Sequence, residues 1–84
     1  MKYDYITFRS VTFAQRGERV LRRGGMDCGI SRTPRWMEEQ GCGYCLRVRP
    51  EDALRSVELL REAGVPFSKV YGTKEGGGVQ PLLL

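Results

Sequence analysis

Three cysteines, Cys28, Cys42 and Cys45, are the residues with the most distinctive chemistry in this chain, and histidine is absent from it. Without histidine there is no Cys–His pair to activate a nucleophile, no usual general base and no usual metal co-ligand. The N-terminus, Met1-Lys2-Tyr3-Asp4-Tyr5, lacks the apolar core of a signal peptide. With an odd cysteine count, that argues against a disulfide framework and leads to the expectation of a reducing, cytoplasmic setting. There the cysteines act as thiols, soft-metal ligands or redox groups.

The segment Gly41-Cys42-Gly43-Tyr44-Cys45 is the leading candidate site. Glycine on both sides of Cys42 lets backbone amides approach the sulfur, and Arg32 and Arg35 belong to the same loop. Amides and guanidinium groups favour thiolate over thiol. A thiolate attacks sulfur or selenium donors and receives the transferred atom. The plainer alternative is that Cys42 fills a small gap at the entrance to a strand, because reactivity depends on an exposure that sequence does not contain. Cys42 and Cys45 also make a C-x-x-C pair, but here it runs into a strand instead of opening a helix. Cys28 alternates with Met26 and Ile30, a core pattern. A metal reading needs all three thiolates, Cys28, Cys42 and Cys45, around one soft ion, with Cys28 opposite Cys45 in a hairpin. No cofactor is expected.

The surrounding elements follow from periodicity. Tyr3 to Phe8 is aromatic and β-branched, hence a first strand. Ser10 or Thr12 caps a helix in which Val11, Phe13, Ala14, Val20 and Leu21 recur at helical spacing, with Gly17 packed close to the sheet and Gly24-Gly25 ending it. Met26 to Ile30 reads as a second strand, and Ser31 to Gly41 as a loop with a helical turn near Trp36–Gln40. Tyr44 to Arg49 alternates: Tyr44, Leu46 and Val48 face the core, and Cys45, Arg47 and Arg49 the other side. Pro50 starts a second helix with Ala53, Leu54, Val57, Leu60 and Ala63 as its apolar stripe, widened by Leu59. Gly64 stops it, and Phe67 to Tyr71 is the last strand. The order β-α-β-β-α-β predicts an α+β, ferredoxin-like sandwich: a four-stranded antiparallel sheet with two helices on one face. Residues 1–72 form this single domain, and residues 73–84 read as a flexible tail in which Leu82-Leu83-Leu84 offers an apolar end.

Apolar residues at 40% and charged residues at 29% place the chain among globular domains, not disordered segments. Its apolar runs are far too short for a membrane span, so no membrane partner is expected. The net charge of +4 comes mainly from arginine. The arginines are interleaved with Glu18, Glu51, Asp52, Glu58 and Glu62, a pattern of solvated faces more than of a nucleic-acid block. The uncovered sheet face leaves a second functional class, a non-catalytic protein- or RNA-binding module. RNA is the weaker form of it, because Cys45, Arg47 and Arg49 replace the aromatics that such platforms carry on the third strand. The same face would serve a homodimer.

Several of these features together resemble the selenium/sulfur carrier-like family of small domains, over about residues 3–72. They are Tyr5-Ile6-Thr7-Phe8, a helix closed by glycine, Thr33-Pro34-Arg35, Gly41-Cys42-Gly43 before an alternating strand, and the return Gly64 to Phe67. The family loop is typically Pro-Arg, a serine-rich stretch and Cys-Gly, matched here by Arg35, Cys42 and Gly43. Glu38-Glu39-Gln40-Gly41 replaces the serines, and Cys45 is an addition suited to a resolving thiol. The resemblance implies a carrier and not an enzyme, in which Cys42 accepts sulfane sulfur or selenium as a persulfide or selenenyl sulfide and hands it on. It implies a pyridoxal-phosphate-dependent desulfurase or lyase as donor and a selenophosphate-forming enzyme as acceptor.

Overall fold

A computed structural model of the chain describes residues 3–33, 43–73 and 79–82. The elements run β1 (Asp4–Thr7), α1 (Val11–Arg23), β2 (Cys28–Arg32), β3 (Tyr44–Val48), α2 (Ala53–Glu62), β4 (Val70–Thr73) and β5 (Val79–Pro81). The strands form one antiparallel sheet in the order β2-β3-β1-β4-β5. Its first four strands have the ferredoxin-like arrangement, in which the two central strands, β1 and β3, each precede a helix.

Local chemistry accounts for both helices. The Ser10 hydroxyl accepts from the Phe13 amide and so satisfies a donor that the first turn leaves over. Pro50–Asp52 forms a 3-10 turn leading into α2, and Asp52 accepts from the Arg49 guanidinium at 3.2 Å. The core lies between the sheet and the helices. It is built from Ile6 and Phe8, Leu46 and Val48, Ala14 and Leu21 of α1, and Val57 and Leu60 of α2. Gly17 makes the close approach possible, since a Cβ there would lie 3.0 Å from Phe8, 3.1 Å from Leu46 and 3.2 Å from Leu60.

Several boundaries and one face differ from expectation: β1 is Asp4–Thr7 and not Tyr3 to Phe8, and β3 stops at Val48, short of Arg49. β2 begins at Cys28 and runs to Arg32, because the α1 exit closes first through a Met26 N–H to Leu21 C=O bond of 2.9 Å. β4 begins at Val70; ahead of it, Ser68 and Lys69 bond to Thr7 but do not extend the strand. In α2, Leu54 is 57% exposed and Ala63 is exposed, while Ser56 is fully buried. The inward face is therefore Ala53, Ser56, Val57 and Leu60, rotated from the stripe that hydrophobicity suggests. Finally, Val79–Pro81, read from sequence as part of the tail, pairs with β4, and Leu82 packs against the core and over Gly72.

Candidate functional site

The candidate loop connects β2 to β3, and the structure shows how its two ends are held. Arg32 pairs with Tyr44 across the ladder, its guanidinium 5.6 Å from the centre of the Tyr44 ring. One step further out, the Thr33 amide donates to the Gly43 carbonyl at 2.9 Å. Gly43 has φ +84, in the left-handed region where a side chain would be strained, so glycine is required at the residue that follows Cys42. Gly41, Cys42 and Arg35 lie outside the described residues. So do Trp36–Gln40, where a helical turn was expected. Of the expected site, the structure places Arg32, Gly43 and Cys45 at the base of one hairpin.

Cys45 stands between Thr7 of β1 and Ser31 of β2, on the face away from the helices, and is fully buried. Thr7 and Tyr71 share that face and are only 4% and 6% exposed. Strand alternation tells the two faces apart but not which of them is covered, and this face is closed at Thr7, Cys45 and Tyr71. Further along it, the exposed Arg47 lies over the Tyr3 ring at 4.9 Å, and Tyr5 is its cross-strand neighbour.

Cys28 belongs to the core on the opposite side of the sheet. Its thiol lies 3.8 Å from the Glu18 carbonyl, and Arg22 donates to the Cys28 carbonyl at 3.2 Å. Burial pushes this thiol up from its ordinary value, helped by the negative charge of Glu18 and, less, of Asp27; the positive charge of Arg22 partly offsets them. The unfolded chain therefore releases the proton first. The stabilisation is complete below about pH 8.5, the ordinary thiol value, and is lost as pH rises towards the higher folded value. Thermal midpoints followed above that pH should fall more steeply for the native chain than for Cys28→Ala; parallel curves would contradict the assignment.

The register corrects the three-thiolate metal reading. Cys45 opposes Ser31, whereas Cys28 opposes Val48, three residues away and pointing to the other face. That offset is about 10 Å along the strand, with the sheet between the two sulfurs, so Cys28 and Cys45 cannot bind one ion or pair as a disulfide. Among the described residues no group of three or more His, Cys, Asp or Glu side chains could hold a metal. Nor, among them, is any helix long and apolar enough to cross a membrane. Sequence reasoning did not identify Thr33 and Tyr44 as the partners that tie the loop ends together. Their signal is β2 continued outward past Ile30, once its register with β3 is known.

A family model described as "Putative Se/S carrier protein-like" matches residues 2–72. The chain belongs to that family. No curated protein and no solved structure matches it. For a member of the Se/S carrier-like family the matched span takes in the whole β1-to-β4 unit up to Gly72, including the hairpin ends and the loop they enclose. β5 lies beyond the match. Membership implies, in general terms, contact with proteins that donate and accept the carried atom.

Proposed function

We propose that the chain carries sulfane sulfur or selenium on Cys42 without catalysing a reaction of its own. The observation that supports this reading is the contrast among the cysteines within a Se/S carrier-like family: Cys28 and Cys45 are buried in the sheet on opposite faces. Cys42 is the remaining thiol, between two glycines. In the loading step the Cys42 thiolate attacks the outer sulfur of a donor persulfide. A Cys42 S–S bond forms, the donor S–S bond breaks, and the donor cysteine leaves as its thiolate. The outer atom keeps its proton, and there is no net oxidation. A selenium donor follows the same course, with an S–Se bond formed and an S–Se bond broken.

Arg32 and Arg35 supply positive charge near the thiolate in this proposal, and Gly41 and Gly43 leave room for the donor. Cys45 is two residues past Gly43, and it would act as a resolving thiol only after local opening of the strand that buries it. Incubation with glutathione persulfide followed by intact-mass measurement should add one sulfur atom to the native chain and to Cys28→Ser, and none to Cys42→Ser. An unchanged adduct on Cys42→Ser would refute the proposal.

A further inference from the structure

The outer face of α1 carries Arg16, Arg19, Arg22 and Arg23, all exposed, against one acid, Glu18. Glu18 is engaged with Arg22 at 3.4 Å. Among the described residues Arg16, Arg19 and Arg23 have no carboxylate within ion-pair distance. Their i, i+3, i+7 spacing sets three guanidinium groups along one stripe about 10 Å long. Like charges at this spacing weaken an isolated helix by a few tenths of a kcal/mol per pair, so folding alone does not favour the arrangement.

The stripe borders an apolar floor. Arg16, Arg19 and Arg23 line a hollow of about 170 Å³ whose other walls are Val20, Ala63 and Val65. A broader, shallower depression lined by Gln15, Glu18, Arg19, Arg22 and Arg23 adjoins it through Arg19 and Arg23. Among the described residues neither is lined by an aromatic ring, so bases would find no ring there to stack on. A second copy in a symmetric contact would bring the same arginines against these ones. Guanidinium groups around an aliphatic depression instead match carboxylates flanking an aliphatic side chain.

We infer that this face docks an acidic protein segment. Its Asp or Glu side chains pair with Arg16, Arg19 and Arg23, and an aliphatic side chain between them enters the hollow over Val20, Ala63 and Val65. The inference does not depend on sulfur chemistry, since none of these residues belongs to the Cys42 loop.

The probe is a fluorescein-labelled synthetic peptide with one leucine flanked by glutamates and aspartates, titrated with the full chain at low salt. Binding should weaken about ten-fold or more when Arg16, Arg19 and Arg23 are all changed to Ala, and about ten-fold when the peptide leucine becomes serine. Amide shifts in the native chain should centre on Arg16, Arg19, Val20, Arg23 and Ala63, a readout that needs no variant. Absence of binding, affinity indifferent to the leucine, shifts centred elsewhere, or tighter binding of oligouridine than of the peptide would each overturn the inference.

Discussion

Gly17→Val should destabilise the fold by about 2–3 kcal/mol, near the upper end for an overpacked core. A single Cβ at residue 17 already approaches Phe8, Leu46 and Leu60 at 3.0, 3.1 and 3.2 Å, closer than such contacts ordinarily allow. Valine adds two methyl groups, and its χ1 in a helix is nearly fixed, so it has little freedom to turn them away. Replacing glycine in a helix recovers only a few tenths of a kcal/mol, too little to offset the clash. A chain of this length has about 4–12 kcal/mol in total, and each kcal/mol is about 4–8 °C in midpoint. Urea denaturation at constant m-value measures the loss directly. A midpoint equal to that of the native chain would mean that α1 does not sit on the sheet as described.

Phe8→Ala should cost more, about 3–5 kcal/mol. Phe8 is fully buried and, among the described residues, is the largest side chain with no exposure, just past the end of β1 and beneath α1. Its removal leaves a cavity bordered by residue 17 that the fixed sheet and helix cannot collapse to fill. The two sites are coupled. In the Phe8→Ala chain, Gly17→Ala should be stabilising relative to its effect in the native chain, because the atom 3.0 Å from the new Cβ is gone. A double-mutant cycle measures this, and strict additivity would contradict the contact.

Most of the scaffold was readable from residues that act locally. Aromatic and β-branched residues marked β1 and alternation marked β3, Ser10 was one of the two caps read for α1, and the glycine at 17 announced the close approach that the structure shows. What sequence could not supply was non-local. Whether Cys28 faces Cys45 depends on the β2–β3 register, and one residue of slip reverses every face. The burial of Cys45 and Tyr71 depends on what lies over the sheet, which their own neighbours in sequence do not encode. Leu54, expected in the apolar stripe, is exposed and Ser56 is buried, because the way α2 rests on the sheet, not hydrophobicity alone, decides which residues face inward. β5 was missed since a three-residue strand after a run of glycines has too little pattern to register. At the candidate site, Arg32, Gly43 and Cys45 came out at one hairpin base, while Gly41, Cys42 and Arg35 lie outside the described residues.

The carrier proposal stands or falls on which sulfur receives the transferred atom. The native chain, loaded from glutathione persulfide or its selenium analogue, trapped by alkylation and digested, reports this by peptide mass. The added atom is expected on the peptide containing Cys42, with Cys28 and Cys45 unmodified until the chain is denatured. An added atom on Cys28 or Cys45 in the native protein, or on none of the three, would contradict it.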